Sequence, residues 1–191
     1  MAQAATLEPI AAPDLAVDSE ALFEIVNGRR VELPPMGAYP ALIAVNIQMI
    51  LGNFAHPKKL GNVVTEVLFL LIDGAEERKR RPDVAFVSFE RWPADREVPD
   101  TEAWEVVPNL VVEVISRTDR HVEVLAKIRE YFQAGVEAVW CVVPTEHLVY
   151  TYESPTCVTI LDRGAELEGG AVLSGFRLPV ARLFRTPASA D

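Results

Sequence analysis

The stretch NLVVEVIS, residues 109–116, is an almost unbroken apolar run with one carboxylate, Glu113, in its middle. A run of this length and β-branched content is typical of a strand that is buried on both faces. An ionised carboxylate in such a strand needs a partner, because removing an unpaired charge from water is costly. Three partners are open for Glu113: a hydrogen-bond network within the protein, an ion pair with lysine or arginine, or a divalent cation shared with a second acid.

The segments that follow this strand indicate a β-α-β unit. HVEVLAKIREYFQA, residues 121–134, has apolar residues at helical spacing, with Thr118 and Asp119 as candidate N-caps and Gly135 beyond its end. VEAVWCVVP, residues 136–144, is a second apolar strand. Two strands joined by a helix in this way are expected to lie parallel in one sheet, with a right-handed crossover.

The rest of the chain predicts a helix and further strands around this unit. Asn27-Gly28 suits a type I′ turn, so ALFEIV and RRVEL predict a hairpin, and helical spacing predicts a helix over residues 38–54. Further strands are predicted over residues 63–74 and 82–89 and in HLVYTYE, TCVTIL and AVLSGFRLPV, with a loop over 90–108 and a short turn at 181–184. This order predicts an α/β fold of the mixed α+β kind, with added antiparallel strands.

Length and composition favour one domain. The 191 residues are 50% hydrophobic, and we expect a flexible N-terminal segment over 1–19, a domain over 20–185 and a tail over 186–191.

Composition also bears on the compartment and the partners of the protein. Two cysteines are too few for a disulfide framework, so we expect a protein of the reducing cytoplasm. No window approaches the roughly 18 consecutive apolar residues of a membrane span. The net charge of −10 argues against a protein that coats nucleic acid by bulk electrostatics.

A second acid and a lysine are candidate partners of Glu113. Asp83 begins a predicted strand, directly behind Pro82. If that strand neighbours the strand of Glu113, two carboxylates meet at one sheet edge, and hard oxygen ligands of this kind favour Mg²⁺ or Mn²⁺. Lys127 lies on the flank of the predicted helix, from where its ammonium could reach back over the sheet end. An ordinary surface lysine is the alternative.

The densest basic cluster has two interpretations. It consists of Arg78, Lys79, Arg80 and Arg81 and stands just ahead of Asp83. It is either a solvated turn between two strands or a patch that binds phosphate.

These segments together resemble a known family. PDV with its preceding arginines, VPNLVVEVIS and KIREYFQAGVEAVWCVVP are similar to the Uma-two (Uma2) family of restriction-endonuclease-like proteins, within the PD-(D/E)XK nuclease superfamily. FEIVNGRRVEL, TEVLFLL and AVLSGFRLPV also resemble that family, so the resemblance covers roughly residues 20–185. The superfamily core of helix, three strands, helix and strand agrees with the order predicted over residues 38–143.

The resemblance implies a metal-dependent nuclease and assigns residues to it. Asp83 and Glu113 would hold Mg²⁺ or Mn²⁺ together with the carbonyl of Val114 or Ile115, and the metal would assist hydrolysis of a phosphodiester bond. Lys127 would orient the attacking water or offset charge on the phosphate, and Glu66 matches an acid often found beside the site. Arg78, Lys79, Arg80 and Arg81 would hold the DNA backbone.

Two positions depart from the family's pattern. The superfamily usually places a lysine two residues after the acid, where this chain has Ile115, and Lys127 from the following helix is the substitute. The first helix often begins with a histidine in the family, whereas this chain has PALIAV around Ala41.

Two other functions remain open at this stage. One is a catalytically inactive nuclease fold that binds nucleic acid or protein, which the net acidity and the two departures favour. The other is a small-molecule phosphohydrolase that uses the same metal chemistry. For a nuclease that cuts both strands, a homodimer is expected, because such cleavage needs two active sites.

Overall fold

A mixed six-stranded sheet lies at the centre of the protein. The computed structural model describes residues 21–73, 76–117 and 119–184. The predicted N-terminal segment 1–19 and the predicted tail 186–191 lie outside the described residues. The strands in the described part are β1 (Phe23–Val26), β2 (Arg29–Glu32), β3 (Gly61–Thr65), β4 (Phe69–Asp73), β5 (Glu76–Arg80), β6 (Val84–Ser88), β7 (Leu110–Val114), β8 (Ala138–Val143), β9 (Leu148–Ser154), β10 (Cys157–Leu161), β11 (Glu166–Glu168) and β12 (Arg177–Pro179). The helices are α1 (Ala38–Ala55), α2 (His121–Gln133) and a short 3-10 helix (Val180–Arg182).

The β-α-β unit forms as predicted. The strand order of the large sheet is β10-β9-β8-β7-β6-β3, and β7 runs parallel to β8, from Leu110 beside Ala138 to Val114 beside Val142. The other neighbouring strands of this sheet are antiparallel. The predicted mixed α+β class and the helix, strand, strand, strand, helix, strand core are therefore confirmed.

The two faces of the sheet carry separate cores. Leu110, Val112 and Val114 of β7 pack on the face covered by α1 and the C-terminal segment. Val111 packs on the opposite face, together with Ile128 and Tyr131 of α2. Because side chains alternate along a strand, the acid between Val112 and Val114 lies on the α2 face.

The predicted strand over 63–74 is wrong as a single element. The chain breaks at Glu66, whose φ is +52°, into β3 and β4. β3 pairs with β6 in the large sheet, whereas β4 pairs with β5 in a second sheet of order β2-β1-β5-β4. The apolar run contains no glycine or proline at this point, so the sequence carries no ordinary signal for the break.

The predicted turn over the basic cluster is also wrong. Residues 76–80 form β5, which lies between β1 and β4. The hairpin beside it is confirmed, because β1 and β2 pair antiparallel and both turn residues have positive φ, +51° at Asn27 and +70° at Gly28.

The start of α2 differs from the prediction. Arg120 is the N-cap, without a side-chain capping bond, and Asp119 instead accepts a hydrogen bond from the Ser116 N–H at 2.6 Å. Thr118, the other candidate cap, lies outside the described residues. Gly135 follows the helix with a φ of +97°, as predicted.

The C-terminal region contains less strand than predicted. Within AVLSGFRLPV only residues 177–179 are extended, as β12, which pairs with β11. The preceding residues 171–175 form turns that bring Leu173 and Phe176 into the core. The predicted terminal turn is present as the 3-10 helix and the residues after it.

Helix α1 is unusually apolar. Among the described helices it alone is long and apolar enough to cross a membrane by length and composition. Its Ile43, Ile47 and Leu51 are at most 1% exposed and pack into the core under the sheet. We therefore describe it as the core helix of the domain, and the expected absence of a membrane span stays a prediction.

Gly61 stands where two strands approach closely. A Cβ atom there would lie 2.7 Å from the Ser88 Cα and closer still to the Val87 carbonyl oxygen. We expect Gly61→Ala to destabilise the fold by about 1–3 kcal/mol, the usual range for overpacking. Gly37→Ala is the control, because the added methyl meets nothing closer than 3.6 Å. Thermal unfolding checks this, and equal melting temperatures for the two variants would contradict it.

Candidate active site

A cavity of about 610 Å³ opens where β6 begins and β7 ends. Asp83, Glu113, Ile115 and Lys127, all predicted as site residues, line it, and so does Val114. The other wall comes from the segment between β2 and α1, including Met36, and from Tyr39 in the first turn of α1. Glu66 was also predicted as a site residue. Its side chain is exposed, and it is not among the described residues that line the cavity.

Asp83 lies at the junction between the two sheets, directly before β6. Its Oδ2 accepts a hydrogen bond of 2.5 Å from the Val114 N–H, which ties the start of β6 to the end of β7. Burial, followed by the charge of Glu113, raises the pKa of Asp83 to about 8. The two predicted acids therefore come together, and the charge of Glu113 opposes ionisation of Asp83.

Glu113 is held by two residues of α2. The Tyr131 hydroxyl donates to Oε1 at 2.6 Å, and the Lys127 ammonium lies 3.4 Å from Oε2. Burial is the main cause that raises the pKa of the Glu113 carboxyl. Two of the three partners expected from the sequence, a hydrogen-bond network and an ion pair, are thus present together.

Lys127 reaches over the sheet end as the sequence suggested. Its side chain is 21% exposed, and its Nζ lies 3.3 Å from Oε1 of Glu24 as well as 3.4 Å from Glu113. Burial opposes the charged ammonium, but the charges of Glu113 and Glu24 outweigh it and raise the pKa of Lys127. The residue is therefore an ammonium ion at the cavity wall rather than an ordinary surface lysine.

Sequence reasoning missed Glu24, which is 2% exposed. It lies in β1, and its Oε2 accepts a 2.7 Å hydrogen bond from Nη1 of Arg80. The sequence did contain a signal for it. An acid inside the apolar stretch FEIV needs a partner, as Glu113 does, because burying an unpaired charge is costly.

The basic cluster is largely engaged with the protein. Arg80 is 5% exposed and bonds Glu24 and Glu130, with Nε 2.7 Å from Oε2 of Glu130. The predicted contact of Arg80 with DNA is therefore wrong, because its guanidinium is buried between two carboxylates. The other three basic residues also contact the protein. Lys79 pairs with Glu102 at 2.7 Å, and Arg81 donates to the Glu66 and Phe23 carbonyls. Arg78 has interaction partners as well. For these three a role in phosphate binding stays a prediction.

Two arginines that the sequence analysis did not select lie on the cavity rim. Arg117 and Arg120, from the segment between β7 and α2, line the cavity. The side chain of Arg120 is 76% exposed and pairs with Glu123 at 3.2 Å. A pair this exposed contributes little to stability, so the guanidinium is available to another anion.

The donor set suits a hard cation that keeps much of its water. Among the described residues no group of three or more histidine, cysteine, aspartate or glutamate side chains is arranged to hold a metal. Asp83 makes its hydrogen bond within the described residues through Oδ2, which leaves Oδ1 for a ligand. Mg²⁺ commonly binds through one or two carboxylates and retains several waters, so Asp83 and Glu113 fit it, whereas they would not fit a structural zinc.

The Tyr131 hydroxyl satisfies a buried carboxylate oxygen. We expect Tyr131→Phe to destabilise the protein by about 1–3 kcal/mol, because Oε1 of Glu113 loses its donor while remaining buried. Chemical unfolding with urea measures this. Tyr152→Phe, on the same face of the sheet, is the control, since its ring is only half-buried. A Tyr131→Phe variant as stable as the wild type would show that Glu113 does not depend on this hydroxyl.

Comparisons with known proteins agree with the predicted family. A family model described as "Uma2: Putative restriction endonuclease" matches residues 11–181. Among solved structures, the fold is similar to a crystal structure described as "a putative nuclease belonging to DUF820 from Anabaena variabilis ATCC 29413". The TM-score is 0.73 with 18% sequence identity, over 85% of this chain and 89% of that one, and a likeness at this identity concerns the fold. No curated protein matches the chain.

Proposed function

The chain belongs to the Uma2 family, and we propose that it is a metal-dependent endonuclease that hydrolyses phosphodiester bonds of DNA. One observation carries this proposal. Two carboxylates and an ammonium, from Asp83, Glu113 and Lys127, converge on one open cavity from three separate segments of the chain. Acids that bind a hard cation beside a fixed positive charge are the groups that phosphodiester hydrolysis needs.

Each residue has a distinct role in the proposed reaction. Asp83 and Glu113, with the carbonyl of Ile115, would hold Mg²⁺ or Mn²⁺. The bound cation supplies Lewis acidity and lowers the pKa of a coordinated water. Lys127 keeps its ammonium at the cavity wall, where it offsets negative charge on the phosphate. Glu66 is left out of the proposal, because its side chain is exposed away from the cavity lining.

Contact with DNA would be local rather than general. The chain carries a net charge of −10, so bulk electrostatics repel a nucleic acid. Arg117 and Arg120 place two guanidinium groups on the rim of the cavity, beside the carboxylates. Guanidinium binds phosphate oxygens in bidentate geometry, so these two residues are our candidates for holding the strand.

Conversion of supercoiled plasmid in Mg²⁺ or Mn²⁺ tests the proposed reaction. We expect the wild type to nick the plasmid and Asp83→Asn and Lys127→Met to lose about 100-fold or more of the rate, a loss usual for groups that stabilise transition-state charge. Conversion of the plasmid to its linear form would support the expected homodimer, because cutting both strands needs two active sites.

Two matched variants control for charge and for surface substitution. Asp95→Asn removes an exposed carboxylate, and Arg129→Met removes an exposed cation from α2. Both are expected to cleave like the wild type. Cleavage by Asp83→Asn at the wild-type rate would refute the assignment of the acids.

A second function is supported by one observation. Both oxygens of Glu113 already have partners, Tyr131 and Lys127. This is the arrangement expected if the acid is structural and the nuclease fold serves only to bind nucleic acid or protein.

Thermal unfolding with and without divalent cation separates the two functions. If Asp83 and Glu113 bind Mg²⁺ or Mn²⁺, the melting temperature rises with cation concentration, since a ligand at 100 times its Kd adds about 2.7 kcal/mol. We expect such a rise in the wild type and none in Asp83→Asn. A melting temperature unaffected by either cation, in a protein that does not cleave, would favour the binding module.

A further inference from the structure

A buried acid outside the cavity lining, Glu24, contacts Lys127, and the proposed reaction does not yet use it. The buried polar and charged residues in the described part of the chain are Glu24, Arg80, Asn109 and Glu113. Three of these four form a single network with Lys127, Glu130 and Tyr131. Glu24 enters this network from the β1–β2 hairpin, which belongs to the second sheet and lies far before Asp83 and Glu113 in the sequence.

The two oxygens of Glu24 have different partners. Oε2 bonds Nη1 of Arg80 at 2.7 Å. Oε1 accepts the Arg81 backbone N–H at 3.0 Å and lies 3.3 Å from Nζ of Lys127. The side chain is therefore fixed by one cation and one backbone donor, and it presents its second oxygen to the lysine.

Lys127 is almost equally distant from two carboxylates. Its Nζ lies 3.3 Å from Glu24 and 3.4 Å from Glu113. A lysine side chain has four rotatable bonds and would otherwise sample many positions. Two acids in contact with the ammonium restrict its position at the cavity wall, and Glu24 is the one of the two that does not line the cavity.

Arg80 does not depend on Glu24 alone. Its guanidinium also bonds Glu130, with Nη2 2.5 Å from Oε2. Removal of the Glu24 charge would thus leave Arg80 with a carboxylate partner, whereas Lys127 would keep only Glu113, the acid that also serves the cavity.

We propose that Glu24 is a positioning residue that holds the Lys127 ammonium against the cavity for its action on the substrate phosphate. This inference rests on the proposed function. Glu24 itself would touch neither phosphate nor metal, and it would act through Lys127. The β1–β2 hairpin is then part of the active site, although none of its residues lines the cavity.

A double-mutant cycle on the plasmid cleavage rate tests the inference. Glu24→Gln keeps the size of the side chain and removes its charge. We expect it to lower kcat about tenfold with KM changed less than about twofold, as for a group that acts only in the transition state. In a Lys127→Met background the same change should have no further effect on kcat, because residues that act as a unit are not additive.

Glu130→Gln is the matched control for a loss of folding. It removes the other carboxylate of Arg80 and has no contact with Lys127 among the described residues. It should retain the wild-type kcat even if it lowers the melting temperature as much as Glu24→Gln. An unchanged kcat in Glu24→Gln, or an equal loss in both lysine backgrounds, would overturn the inference.

The pairing can also be tested if the wild type does not cleave. That result would overturn the proposed function. The contact would then be measured by urea unfolding of the wild type, Glu24→Gln, Lys127→Met and the double variant. Non-additive losses of stability would support a direct coupling of Glu24 to Lys127, and additive losses would overturn it.

Discussion

The rest of the structure depends on the burial of one carboxylate in the central strand. Glu113 stands between apolar neighbours in β7, so the α2 face of the sheet must supply both a donor and a charge. Tyr131 and Lys127 can do this together because they are four residues apart and share one face of the helix. The position of α2 over the sheet, with its N-terminal half at the cavity, is the one that satisfies this group.

The second constraint is a hairpin shared between two sheets. β3 and β6 pair in the large sheet, and the same two chain segments continue as β4 and β5 in the small one. The crossing point is at Glu66 on one arm and at residues 81–83 on the other, where the Glu66 N–H faces the Asp83 carbonyl oxygen. Asp83 is thereby brought beside the end of β7 without belonging to a strand itself.

Sequence periodicity predicted the parts of the structure whose signals are local. The apolar runs of β7 and β8, the amphipathic helix between them and the Asn27-Gly28 turn were all recognisable. An ion pair was one of three possibilities open for Glu113, and Lys127 was placed near the sheet end, but helical spacing alone did not distinguish it from a surface lysine. The break at Glu66 was not recognisable, because a positive φ at a glutamate has no ordinary sequence signal. The cluster at 78–81 was misjudged for another reason: charged residues are usually solvated, and the acids that bury Arg80 come from distant segments.

The short connection between β5 and β6 also limits how this protein can vary in length. Arg80, which anchors the charged network, and Asp83, which lines the cavity, are separated only by Arg81 and the buried Pro82. An insertion or deletion here would shift Arg80 relative to the Asp83 carboxylate by the length of one residue, because the two residues between them form no loop that could accommodate the change. The irregular segment from 90 to 108 has more room for such changes, so length variation among related chains should collect there and avoid residues 80–83.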